Sequence, residues 1–182
     1  MKISIIAAMD EKRGIGKNNK IPWHLKDDLI KLKRLTKNHI VILGRKTYDS
    51  MVFYYNRSGN PMPGKLYIVI THDKAYKPAR ENATIAQSLE EGLEVANTPH
   101  SFPLPQGERA RVRVGEEIFI IGGGQIFQQA FPLANKLHLT IVEGDYSCDT
   151  FFPDYSEFKK VISEESEEGE GLKYRFLELE RV

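Results

Sequence analysis

The chain has very little cysteine. Cys148 is the only one, so no disulfide can close within the chain and no cysteine cluster can hold a metal. A reducing compartment fits this composition. An excess of charge is missing too: 26 Lys and Arg face 25 Asp and Glu, a formal net charge of +1. Such a balance gives no chain-wide attraction to nucleic acid or to a membrane surface, and neither partner is expected. An anionic ligand would have to be held by local cations. Long apolar runs are also absent. The run within residues 3–9 is too short to span a bilayer, and acidic residues follow it at once. It reads as the buried first strand of a cytoplasmic protein. His24, His39, His72, His100 and His138 show no ligand spacing, so no metal is expected. Neither a hydrolase nucleophile elbow nor a Walker-type phosphate loop is present.

What is present suits one domain spanning residues 1–182 with a single core. Residues 3–9, 39–43, 66–71, 118–121, 137–142 and 174–179 are apolar runs of strand length. Residues 25–37 carry a helical pattern, a short helix opens at Gly44-Arg45, and Ser88 to Glu91 has the form of a capping box. Another helix follows Gly122-Gly123-Gly124 and runs to about Phe131, where Pro132 ends it. Strands alternating with helices predict an α/β fold with a mostly parallel sheet, and the strand-rich end predicts an antiparallel edge. Residues 54–63 and 97–115 read as surface insertions, and the acidic stretch 164–171 as a solvated turn.

One carboxylate stands out. Leu25, Leu29, Leu32 and Thr36, with Leu35 at the margin, form a stripe at helical spacing. Asp28 falls inside that stripe, whereas Asp27 points to the polar side, four residues before Lys31. An ionised carboxylate on a buried face needs a partner, a ligand or a raised pKa. The competing reading is a first-turn acid that complements the helix dipole. Trp23, the only tryptophan, reads by itself as a core anchor.

Two turns between strand and helix could hold phosphate. Gly44-Arg45-Lys46-Thr47 offers a helix N-terminus with two cations, and Gly122-Gly123-Gly124 lets a ligand approach the backbone closely. Each turn taken alone reads more readily as a tight strand–helix connection. GGGQIF is not the dinucleotide fingerprint, because Phe127 stands where its third small residue belongs. Two such turns at the carboxyl ends of strands suggest one shared crevice.

In order, ISIIAAM, GIGKNNKIPWHLKDDL, VILGRKTYDS, PMPGKLYIVIT, IFIIGGGQIF, KLHLTIVEGD and DTFFPDY span residues 3–155, and LKYRFLELERV follows. Together they resemble the dihydrofolate reductase family. The resemblance implies an α/β fold with an eight-stranded, mostly parallel mixed sheet, an antiparallel C-terminal strand and flanking helices. It also implies reduction of 7,8-dihydrofolate to 5,6,7,8-tetrahydrofolate, with NADPH giving hydride to C6 and a proton added at N5. A monomer is expected, with a small-molecule substrate as its partner.

By the same resemblance, Asp28 binds the pterin, Thr140 supports Asp28, and Trp23 holds a water that delivers the proton under Ile21. Ile6, Ala7, Leu29, Leu32, Met51, Lys65 and Ile121 would complete the substrate site. Ala8, Ile15, Ile21 and Ile121 would meet the nicotinamide end. Gly44, Arg45, Lys46, Thr47, Gly123, Gly124, Gln125, Ile126 and Phe127 would meet the cofactor's phosphate region. Ser50, Thr71, His72 and Gln87 would complete the cofactor site.

Three positions depart from the family pattern. Lys65 stands where the family usually has an arginine for the substrate's α-carboxylate, Gln125 where an arginine is common, and Cys148 where some relatives have glycine. Two other functions compete. A pyrimidine reductase of riboflavin synthesis shares the fold but generally lacks the acid at Asp28. A non-catalytic NADP-binding protein would not require Asp28, Trp23 and Thr140 together.

Overall fold

Apolar runs covered on both faces become central strands, and here they order the whole molecule. The computed structural model describes residues 1–98, 102–103, 109–110 and 117–182. In chain order the elements are β1 (Lys2–Asp10), β2 (Gly14–Gly16), α1 (Lys26–Thr36), β3 (Ile40–Gly44), α2 (Arg45–Ser58), β4 (Leu66–Ile70), β5 (Ala83–Ala86) and α3 (Leu89–Asn97). They continue with β6 (Phe102–Pro103), β7 (Arg109–Ala110), β8 (Glu117–Ile120), α4 (Gly124–Ala130), β9 (Lys136–Val142), β10 (Thr150–Phe151), β11 (Lys160–Gly169) and β12 (Leu172–Glu180). A 3-10 turn, Phe131–Leu133, carries Pro132 directly after α4.

Eight strands form one sheet in the order β11-β12-β9-β1-β8-β3-β4-β5. β1, β3, β4, β5, β8 and β9 run parallel to their neighbours within that set, and β12 runs antiparallel to both β9 and β11. The expected α/β architecture is therefore present. β2 pairs with β10 outside the main sheet.

Alternation along each strand divides the core in two. Ile40, Ile42, Ile68 and Ile70 pack with Leu89 and Ala96 of α3 and with Ile126, Phe127 and Ala130 of α4. Val41, Leu43, Tyr67 and Val69 face the other way, against Tyr48, Met51 and Val52 of α2. Leu25, at the head of α1, joins Val142 and Tyr174 on that same side. So α1 and α2 cover one face and α3 and α4 the other. Ser88 caps α3 as expected, accepting from Glu91 N–H at 3.1 Å; such caps contribute about 1 kcal/mol.

Several expectations need correction. Residues 164–171 are mostly strand rather than turn, since β11 continues to Gly169. Their acidic side chains are exposed because β11 is the sheet's edge, so the ladder to β12 holds it and burial does not. The turn itself is Glu170-Gly171, both at positive φ. The short helix at Gly44-Arg45 runs instead to Ser58, through half of the segment expected to be an insertion, because Tyr48 and Tyr55 extend one buried stripe. Most of the expected insertion 97–115 lies outside the described residues. Asp27 is not paired with Lys31; it accepts from the Tyr174 hydroxyl at 2.6 Å.

Candidate active site

α1 shows an anomaly that locates the site. Its stripe has the spacing of a core-facing helix, yet Thr36 is its only fully buried residue. Leu29, Leu32 and Leu35 are half-buried. The stripe therefore borders an opening. α1 lies over β9 and β12, and α2 lies over β3 and β4. The two intervening strands, β1 and β8, form the floor between them. Ligands of open α/β sheets bind in such a crevice at the strands' carboxyl ends.

Asp28 sits on the α1 wall, half-buried. The Thr140 hydroxyl on β9 donates to its Oδ1 at 2.6 Å. Oδ2 takes no hydrogen bond among the described residues. Burial pushes the Asp28 carboxyl above the usual carboxylate range, and the Thr140 hydrogen bond and the Lys31 charge partly oppose that push. A carboxylate so placed has one oxygen fixed and one open to a ligand donor.

β1 alternates beside it. Ile6 and Ala8 face the α1 and α2 side, whereas Ala7 packs into the core under α3 and α4. Ala7 can therefore serve a ligand only through its backbone. Trp23 is buried with Leu25 and Val142, edge-on to Tyr146 at 5.1 Å between ring centroids. Its core-anchor reading thus describes its surroundings, beside the floor of the crevice. Met51 and Ile121 both pack against the cluster of Val41, Leu43, Tyr48, Tyr67 and Val69 on the α2 side.

The two glycine turns meet. Gly44 N–H donates to Gly122 O at 2.7 Å. A Cβ placed on Gly123 would lie 3.5 Å from Thr47 Oγ1. Gly44 and Gly123 cap α2 and α4, and among the described residues neither helix start has a side-chain cap hydrogen bond. Two helix starts thus present free N–H groups side by side. Arg45 and Lys46 add charge, Arg45 as a 3.3 Å ion pair with Asp73 and Lys46 donating to Asn19 Oδ1 at 3.1 Å. Gln125 is exposed on α4, whereas Ile126 and Phe127 are buried in the core beneath it. The last two can reach a ligand only by backbone.

Other positions gather around these turns. Thr71 Oγ1 accepts from Asp73 N–H at 3.2 Å, which places Thr71 and its exposed neighbour His72 at the Arg45 corner. Ser50 is exposed and bonds back to Lys46 O. Gln87 follows β5, its N–H bound to Glu91 Oε2 at 2.6 Å. Ile15 on β2 packs on the main core, and Ile21 is 62 % exposed on the same loop. That loop is held at its middle: Asp149 N–H donates to Gly16 O at 2.9 Å, and Asp149 Oδ2 accepts from Asn18 N–H at 2.7 Å. Lys65 stands apart from the turns, at the amino end of β4.

Residue patterning missed three features here. Asp10 is buried beneath the loop and accepts from Gly14 N–H at 2.7 Å, Lys12 N–H at 2.9 Å and Tyr146 N–H at 3.1 Å. Its position at the end of an apolar strand was the only signal available. Asp73 pairs with Arg45 across 28 positions of sequence. Lys31 is half-buried with its ammonium 4.1 Å above the Phe176 ring. The Cys148 thiol lies against Gly14 and Asp10, and burial with the Asp10 charge pushes its pKa up. A raised thiol pKa favours an inert side chain.

Comparison with known proteins agrees with this geometry. The family model for dihydrofolate reductase matches residues 2–181. The chain is 34% identical to the dihydrofolate reductase of Bacillus subtilis (strain 168), over 98% of this chain and 94% of that one. It is 34% identical to that of Staphylococcus haemolyticus, over 97% and 92%. It is 36% identical to the type 3 dihydrofolate reductase of Salmonella typhimurium, over 85% and 80%. With the sheet order, the inward acid on α1 and the paired glycine turns already in place, the chain belongs to the dihydrofolate reductase family.

Proposed function

We propose that this chain reduces 7,8-dihydrofolate to 5,6,7,8-tetrahydrofolate with NADPH, and that the residues gathered above are its working parts. The carrying observation is Asp28. Its Oδ1 is held by Thr140, and its Oδ2 takes no hydrogen bond among the described residues. A pterin presents a ring N–H and an exocyclic amino group side by side, and such an oxygen pair can accept from both.

The donors present fit a pyridine dinucleotide. Two adjoining helix starts without side-chain caps supply N–H groups for a diphosphate, and Arg45 and Lys46 supply positive charge. The Arg45, Thr71 and His72 corner suits the extra phosphate of NADPH. When bound, NADPH supplies the hydride, and water supplies the proton that completes the product.

The remaining tasks belong to the chain. Asp28 orients the pterin. Ile6, Leu29, Leu32 and Met51 cover its apolar surface and exclude water, which strengthens every polar contact inside. Ile21 closes the loop side, and Trp23 holds the proton-bearing water. Alignment of two bound rings is a large share of such catalysis. The protein acts in the cytoplasm as a monomer.

The direct test follows absorbance of the reduced nicotinamide band with purified protein. Oxidation of NADPH that depends on dihydrofolate supports the proposal. Oxidation that depends instead on a riboflavin-pathway pyrimidine, or on neither compound, would sink it.

A further inference from the structure

Lys31 differs from the other lysines of its helix. Lys26 and Lys33 are exposed, whereas Lys31 is half-buried. A lysine at a helix surface can extend its stem and keep its ammonium in water. Lys31 instead holds its Nζ 4.1 Å from the centroid of the Phe176 ring, a cation–π contact. Phe176 is the register partner of Thr140 across β12 and β9. Thr140 in turn donates to Asp28. Asp28 and Lys31 are three residues apart on α1, a spacing that makes helical side chains neighbours. Carboxylate, hydroxyl, ring and ammonium thus follow one another as neighbours across three elements, with the ammonium more than 4 Å from the carboxylate oxygens.

We propose that Lys31 is a positioning residue for Asp28: seated on Phe176, its cation keeps the Asp28 carboxylate charged and aimed into the crevice. The idea rests on the function proposed above. Burial works against charge at Asp28, and the groups that favour the carboxylate there are the Thr140 hydroxyl and Lys31. Lys31 is itself opposed by burial and by Arg34, and is supported by Asp28, by Glu178 on β12 and by Glu165 on β11. An ordinary exposed i,i+3 pair is worth little. Here the lysine is half-buried and its ammonium is seated on a ring, which sets this pair apart from an exposed one.

The test removes the charge and keeps the stem. Lys31→Met retains packing on Phe176, Lys31→Gln gives a second neutral variant should the first fail to fold, and Lys31→Arg restores the cation. Infrared titration of the ligand-free proteins, with Asp28→Asn identifying the band, reads the Asp28 carboxyl directly. Its midpoint should rise by about one pH unit in the neutral variants, a tenfold gain in proton affinity, and return in Lys31→Arg. The pH midpoint of single-turnover hydride transfer should rise with it, because losing a cation favours the protonated form of every nearby group. NADPH affinity should change less than about twofold. An infrared midpoint that stays put in the neutral variants overturns the proposal, whatever the turnover. A shifted midpoint in a protein that does not consume dihydrofolate overturns the functional reading and leaves the role of Lys31 toward Asp28 standing.

Discussion

Thr140 and Asp28 stand 112 residues apart in the chain, yet the hydroxyl of one donates to the carboxylate of the other at 2.6 Å. Sheet order makes this contact. β9 returns beside β1 after β8 has taken the other side, which brings Thr140 beneath α1. The site is therefore closed only when the second half of the chain has joined the sheet.

Replacing Asp28 by Asn should stabilise the fold at neutral pH while disabling the site. The folded-state pKa of Asp28 lies above its ordinary value because of burial. Between those two values the folded state binds more protons than the unfolded chain. The stability this group contributes is thus complete below about pH 4 and is lost as pH rises through the folded pKa. Asn carries no charge and escapes that loss. Melting at pH 7 should rise by roughly 2–4 °C, and the gain should shrink toward pH 4. Turnover should fall by about a hundredfold or more, with NADPH affinity nearly unchanged. Equal losses in turnover and cofactor affinity would mark Asp28 as structural.

Thr140→Val keeps the shape of its side chain and removes the donor. Asp28 Oδ1 then sits at a half-buried position without that partner, at a cost of about 1 kcal/mol. The same change in an Asp28→Asn background should cost less, because a neutral amide oxygen loses less than a carboxylate. Denaturant unfolding of the four proteins in that cycle measures the coupling. Additive losses would show that the short hydrogen bond contributes nothing specific.

How much of this was legible in the residues is clearest around α1 and at the sheet edge. The helical spacing of Leu25, Leu29 and Leu32 marked Asp28 as misplaced, and the structure puts it on the crevice wall. Periodicity could not tell a stripe facing a core from one facing an opening, since both need apolar residues. Lys31 read only as an ordinary surface neighbour of Asp27, because charge at a helix surface is commonplace, and it is β12 with its Phe176 that turns the position inward. β11 was unreadable for another reason. An edge strand held by backbone pairing needs no alternation, so its acidic sequence looked like a solvated turn. The two glycine turns were visible singly, but their junction at Gly44 and Gly122 depends on β3 and β8 being neighbours.

That junction makes Gly124 a sharp test of the phosphate cradle. A Cβ on Gly124 would lie 2.6 Å from Thr150 Cγ2 and 3.6 Å from Ile15 Cδ1. Gly124→Ala should push β10 and the β2 loop away from the start of α4, weakening NADPH binding by about tenfold. Thr150→Ser removes the offending methyl and keeps the hydroxyl that donates to Asp149. The double variant should recover most of the lost affinity, measured by fluorescence titration. No recovery would place the defect in the backbone of the turn rather than in the clash.

Lys65 offers a test of specificity rather than of chemistry. Its backbone is fixed from both sides: its N–H donates to His39 O at 2.9 Å, and the Asn82 side chain donates to its carbonyl at 3.5 Å. Exchange of the side chain should therefore leave the main chain in place. A lysine ammonium is a point charge, whereas a guanidinium grips a carboxylate with two parallel hydrogen bonds. The natural chain should accordingly discriminate only weakly between dihydrofolate and a dihydropterin that lacks the glutamate tail. Lys65→Arg should lower KM for dihydrofolate by about three- to tenfold, close to 1 kcal/mol, and leave the tail-less substrate unchanged. Steady-state kinetics with both substrates decides it. If KM falls alike for both, Lys65 does not read the tail, and if the natural protein already prefers the tail strongly, another cation holds it.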